Sequence, residues 1–275
     1  MSRETDYEEP SRRIRVRLHA CLLLAMAVFA VGPVAAQTPP LAVAAASDLQ
    51  TVLPEIVRAF ENRSGQRVIL TFGSSGNFFT QIQNGAPFDV FLSADIDYPR
   101  RLEQAGLATK GSLSAYATGR IVIWARNDAG VDLTQTFKAI VTSGAVRRIA
   151  IANPAHAPYG RAAEAALRHE GVYGQVQNKI VMGENISQAA QFAQSGNAQV
   201  GLLALSLALS PSMKAVGGYV AIAQDAYPPI EQAAVVVAKS NRQSLAREFV
   251  RALESPEVQD LLRSSGFGEP ERTNR

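Results

Sequence analysis

Between residues 41 and 264 the chain switches repeatedly between two hydrophobic periods. Short apolar runs at 41–45, 68–72 and 89–93 read as strands. Each precedes a stripe at helical spacing. Leu49, Val52, Leu53, Ile56, Val57 and Phe60 form the first stripe, which Gly65 ends. Phe78, Phe79 and Ile82 mark a short second helix, and 96–104 gives a third that stops at Gly106. Ser47 with Gln50 three residues later predicts a capping box at the first helix, and Ser75 is the expected opener of the second.

An extended run at 119–125 interrupts this alternation, which then restarts. Residues 148–151, 179–182 and 199–203 read as strands, and 161–168 and 186–194 as helices. A second extended run covers 231–238. Helices near 241–253 and 256–264 close the chain, the last with Pro256 in its first turn. Strands alternating with helices predict an α/β fold of mostly parallel sheets flanked by helices. Two cycles separated by one extended run, with another returning late, predict two lobes joined near 115–121 and 228–235. The expected organisation is 1–36 as a signal peptide, 37–118 with 231–275 as lobe I, and 119–230 as lobe II. A two-segment connection is a hinge, and ligands of open α/β sheets sit beyond the carboxyl ends of the strands. The inter-lobe cleft is the expected site.

The amino terminus suggests where the protein works. Arg12, Arg13, Arg15 and Arg17 form a positive region, 18–31 an apolar stretch too short to span a membrane, and Val34-Ala35-Ala36 a small-residue cleavage site. General secretion fits better than a twin-arginine route, because Arg15 stands where the latter wants an apolar residue. Cys21, the only cysteine, lies inside the apolar stretch and does not read as a lipid anchor. The mature chain is thus expected in the periplasm without disulfides, relying on its core. Residues 37–275 carry 22 Lys and Arg against 20 Asp and Glu. That near balance, with no basic run or aromatic–basic interleaving, speaks against nucleic acid.

Two segments carry candidate chemistry. Ala45-Ala46-Ser47-Asp48-Leu49 and Thr71-Phe72-Gly73-Ser74-Ser75-Gly76-Asn77 each set small residues and hydroxyls between a strand and a helix. Backbone N–H groups and serine hydroxyls then point at one place, which suits an anion. Neither segment holds a lysine or arginine, so the implied ligand is a fully ionised oxyanion held by neutral donors. A protonated phosphate would leave its hydrogen without an acceptor there, at a cost of about 1–3 kcal/mol. Ser47 and Ser75 also have the simpler reading of helix caps. Asp48 reads as a first-turn acid facing solvent.

Over 41–270 the chain resembles the periplasmic molybdate-binding proteins of ABC importers. The carriers are Ala44-Ala45-Ala46-Ser47-Asp48-Leu49, Gly73-Ser74-Ser75-Gly76 and 85–95. Asn153-Pro154 through Pro158-Tyr159-Gly160, Gly183-Glu184-Asn185-Ile186, Ser255-Pro256-Glu257 and Gly266-Phe267-Gly268 complete the set. The resemblance implies a two-lobed type II periplasmic-binding-protein fold and a monomeric receptor with no cofactor. It would deliver molybdate, and tungstate with it, to an inner-membrane ABC permease. It places the ligand contacts on Ser47 and Ser75, on Tyr159, and on the backbone N–H of Ile186. No protein side chain would coordinate the metal directly. Many members carry a tyrosine in a Gly-x-x-Tyr-Gly-Ser-Asp stretch. Here Ala204 holds that place, which moves the phenolic donor to Tyr159.

Rival readings remain. A receptor for sulfate, thiosulfate or an organic anion would use the same fold, with cavity size deciding. A secreted serine hydrolase would need a base at Ser47 or Ser75, and neither motif contains a histidine. The effector half of a regulator is opposed by the export signal. His156 and His169 are too isolated for a zinc site and read as loop or surface residues, and Tyr219 and Tyr227 lack the partners of a ferric site. Trp124 reads as core and Arg147-Arg148 as a solvated pair.

Overall fold

The computed structural model describes residues 39–270. The expected signal peptide at 1–36 lies outside them. The strands are β1 (Leu41–Ala46), β2 (Val68–Gly73), β3 (Val90–Ser93), β4 (Ser114–Gly119), β5 (Ile121–Arg126), β6 (Ile149–Ala152), β7 (Ile180–Gly183), β8 (Val200–Ala204), β9 (Gly217–Ala221) and β10 (Ile230–Val236). They form two five-stranded sheets, ordered β2-β1-β3-β10-β4 and β7-β6-β8-β5-β9.

The two sheets share one plan. In the first, β2, β1 and β3 run parallel, and β10 lies antiparallel to both β3 and β4. In the second, β7, β6 and β8 run parallel, and β5 lies antiparallel to both β8 and β9. In each sheet the reversed strand is the one that arrives from the other sheet. The crossings enter at the cleft end, where the parallel strands finish, so an incoming strand must run backwards. The run expected at 119–125 is β5, separated by Arg120 from Gly119, the last residue of β4 in the other sheet.

Both faces of the central strands are covered, as parallel sheets require. In the first lobe Leu41, Val43, Val90, Leu92 and Ala234 pack with Ile56, Phe60 and Phe249 on one face. Phe60 and Phe249 meet edge to face at 5.0 Å. On the other face Phe91 packs with Phe78, Phe79 and Leu102. The second lobe has its own core around Trp124, Ile151, Leu167, Leu202 and Leu203. Trp124 is buried, as expected, and Arg147 and Arg148 are exposed.

Two local expectations change. Ser47 does not cap the first helix: Ser47–Leu49 is a 3-10 turn without a side-chain cap, and the α-helix begins at Leu53 and runs to Ser64. The tighter turn carries Asp48 inward, where its partners lie. In the second helix, Ser75–Gln83, the cap is Ser74, whose Oγ accepts from the Asn77 N–H, and Ser75 is the first helical residue.

Gly160 shows how closely the helix Pro158–His169 sits on its strand. A Cβ there would lie 2.2 Å from the Ala152 carbonyl oxygen, a backbone atom that cannot swing away. We expect Gly160→Ala to destabilise the chain by about 1–3 kcal/mol, the usual cost of overpacking. Gly174→Ala, with open space around it, should change stability far less. Urea melts of both variants check this, and equal effects would contradict it.

Candidate functional site

Four chain segments meet over one small cavity of about 10 Å³. It is lined by Ala46, Ser47 and Asp48 after β1, Gly73, Ser74 and Ser75 after β2, Ala157, Pro158 and Tyr159 after β6, and Asn185 and Ile186 after β7, with Ala94. The arrangement follows from the shared plan of the sheets. The segments after β1 and β2 in one lobe face those after β6 and β7 in the other. Ser47, Ser75, Tyr159 and Ile186, the four expected contact residues, are all buried and all line this cavity.

Three α-helices start here: Ser75–Gln83, Pro158–His169 and Ile186–Gln194. The N–H groups of Ser75, Tyr159 and Ile186 fall in the first turns, where no carbonyl of the same helix reaches them. Asn185 caps its helix by accepting from the N–H groups of Ser187 and Gln188, which leaves the Ile186 N–H outside the cap. The helix dipoles add positive potential at the same point. Both serines are held as acceptors: Ser75 Oγ takes the Ala94 N–H at 3.0 Å, and Ser47 Oγ takes the Ser187 N–H at 3.4 Å. A hydroxyl fixed as acceptor keeps its own hydrogen to donate. No lysine or arginine lines the cavity.

Asp48 departs from its expected place in solvent: it is fully buried. Its Oδ2 accepts from the Tyr159 hydroxyl at 2.9 Å and from Gln232 Nε2 at 2.5 Å. Gln232 in turn accepts at Oε1 from the Tyr116 hydroxyl at 2.8 Å. Tyr159 comes from the second lobe and the others from the first, so this buried network spans the hinge. The Tyr159 hydroxyl thus gives its hydrogen to Asp48 in this structure, and it lies where Gly119 leaves room, since a Cβ there would sit 2.3 Å from it. Burial pushes the Asp48 carboxyl up to about 6, with Gln232 and Tyr159 pulling it back down. The Tyr159 and Tyr116 phenols are raised by burial and then by the Asp48 charge.

His156 lies in a loop, as expected, but half-buried against the other lobe rather than on the open surface. Its Nδ1 is 2.9 Å from Ser74 Oγ, its carbonyl accepts from the Gly76 N–H at 2.9 Å, and its Nε2 lies 3.5 Å from Glu184 Oε1. Asn77 Nδ2 donates to the same Glu184 oxygen at 2.6 Å. These contacts join the lobes beside the cavity. Arg161 pairs with Asp95 across the lobes as well. The partners lie too far apart in sequence for any local pattern to announce them. Ala204, at the place of the missing tyrosine, is buried at the end of β8 and does not line the cavity. Tyr227 accepts the Ile121 N–H at 3.2 Å. Among the described residues no group of three or more His, Cys, Asp or Glu is placed to hold a metal ion, and no helix is long and apolar enough to cross a membrane.

Two lobes, two crossings and a cavity ringed by helix N-termini define a clamp for a small solute. A family model described as bacterial extracellular solute-binding protein matches residues 41–268, and the chain belongs to that family. It is 37% identical to the molybdate-binding protein ModA of Azotobacter vinelandii over 234 residues, 85% of this chain and 92% of that one. It is 38% identical to ModA of Rhodobacter capsulatus, over 82% of this chain and 86% of that one. The solved periplasmic molybdate-binding protein of Azotobacter vinelandii superposes with a TM-score of 0.78 at 31% identity, covering 84% of this chain and all of that one.

The raised Asp48 carboxyl makes stability depend on pH. The folded chain binds this proton more tightly than the unfolded chain, so Asp48 costs stability as pH rises from about 4 through about 6. The full cost, about 3 kcal/mol, applies above that window. We expect the stability of Asp48→Asn relative to the native chain to improve with pH across the window. Urea melts below and above it measure this, and a constant difference would contradict it.

Proposed function

We propose that this chain is a periplasmic receptor that closes its two lobes over molybdate, or tungstate, and delivers the anion to an inner-membrane ABC permease. It acts as a monomer, binds no nucleic acid and catalyses no reaction. The observation that carries this reading is the convergence of three helix N-termini and two serine hydroxyls on a cavity lined by no lysine or arginine. Molybdate-binding relatives that match over most of their length support the choice of anion. Ser47 and Ser75 donate through their hydroxyls, Ile186 through its amide, and Tyr159 through its phenol once the anion competes for that hydrogen. The metal keeps its own oxygens, and the protein bonds only to those.

Selectivity follows from charge state and size. A hydrogen on phosphate finds few acceptors among these donors, and an unmet buried hydrogen bond costs about 1–3 kcal/mol. Sulfate has the right charge but shorter bonds to oxygen, so it reaches fewer donors at once. Molybdate and tungstate are nearly equal in size and should bind alike. The export and the permease are part of the same proposal, supported by the family and by the amino-terminal pattern.

One observation favours a second reading. Ser74, His156 and Glu184 stand in the order of a hydrolase triad. Ser74 is buried, however, and its Oγ already caps a helix. Glu184 also serves Asn77. We read the three as a latch between the lobes, and an esterase assay distinguishes the two roles.

Molybdate and tungstate should raise the melting temperature of the purified mature chain, and sulfate and phosphate should raise it much less. A ligand at a hundred times its dissociation constant adds about 2.7 kcal/mol. Equal shifts with sulfate and molybdate would contradict selection by size.

Ser75→Ala should weaken molybdate binding by about 1.5–3 kcal/mol, the worth of a hydrogen bond to a charged group. Ser74→Ala should weaken it less, because Ser74 faces His156 rather than donating into the cavity. Calorimetric titration of both variants tests this, and a larger loss at Ser74 would contradict it.

A further inference from the structure

Asp48 is the one carboxyl in the cavity wall, and the receptor reading does not use it. It is a carboxyl among donors, fully buried, in a cavity meant for a dianion. Its two oxygens are unequal. Oδ2 accepts from Tyr159 and Gln232, whereas Oδ1 has no partner in hydrogen-bond geometry, the Asp48 and Leu49 amides acting on the carboxyl more weakly.

The groups around it offer no compensating charge. Tyr159 faces it from the helix Pro158–His169, Tyr116 and Gln232 from β4 and β10, and Ser206 donates to its backbone carbonyl from the helix Leu205–Ala208. Tyr227 lies farther out, with Arg120 acting on it rather than on Asp48. His156 and Glu184 meet Ser74 and Asn77 and do not line the cavity. A second negative charge arriving in this space meets the first with little screening.

We propose that capture is proton-coupled: each dianion enters together with one proton from solvent, which settles on Oδ1 of Asp48. This rests on the oxyanion-receptor reading. The proton removes the like charge and gives the partnerless oxygen a hydrogen. It also makes Oδ2 a weaker acceptor, so the Tyr159 hydroxyl is released to the anion. Asp48 is then a specificity-determining residue, because a monoanion of similar size would not draw in the proton. Burial of the carboxyl, which already favours its neutral form, works in the same direction.

The test is calorimetry with sodium molybdate in two buffers of different ionisation enthalpy, at a pH of about 7.5, where linkage predicts uptake of about one proton per anion. Affinity should fall about tenfold per pH unit above that point, and Asp48→Asn should take up no proton and bind with a flat pH profile. Binding of molybdate without uptake in the native chain would overturn the proposal, as would uptake that persists in Asp48→Asn. Should that variant fail to fold, the carboxyl carbon shift of Asp48 in the native chain decides. A titration moved upward by molybdate supports the coupling, and an unmoved one overturns it. Absence of any binding to the oxyanion panel would remove the receptor reading and this inference with it.

Discussion

The fold depends on one constraint: helix N-termini must find a partner, and here they are made to find it at the same point. A buried N–H without an acceptor is costly, and its own helix cannot satisfy it. The two sheets, built on one plan, turn their helix starts toward each other across the hinge. Each lobe alone leaves part of a donor set facing a gap. In the proposed complex an anion between them completes both halves, which gives closure a reason that packing alone does not supply.

The contacts that join the lobes serve this arrangement at two depths. At the hinge, Tyr116, Gln232, Asp48 and Tyr159 form a buried chain of hydrogen bonds from one lobe to the other. At the rim, Ser74, Asn77, His156 and Glu184 hold the mouth. The rim contacts are partly exposed and therefore weak singly, which suits a clamp that must reopen. The hinge contacts are buried and must be satisfied as a set. Asp48 bears the electrostatic cost of that set, as its raised carboxyl indicates.

Much of this was legible in the sequence because the central strands are buried on both faces. β1, β3 and β8 read as continuous apolar runs. β9 was not legible: Gly217-Gly218-Tyr219 is a partly exposed edge with neither period. The helices Leu205–Ala208 and Pro211–Lys214 are too short to show one. Ser47 and Ser75 could be singled out because each stands between a strand and a helix, whereas Tyr159 and Ile186 came only with the family resemblance; all four line the cavity. Asp48 could not be placed, since locally it is a charge at a turn and its partners are 111 and 184 residues away. His156 escaped for the same reason, meeting Ser74 across 82 residues.

In the proposed complex neutral N–H and O–H groups hold the anion by its oxygens. X-ray absorption at the molybdenum edge on the loaded protein tests it most directly. The loaded protein should give the spectrum of an intact tetrahedral oxyanion, with only short metal–oxygen bonds. A longer shell of protein oxygen or nitrogen bonded to the metal, with the tetrahedral signature lost, would contradict it.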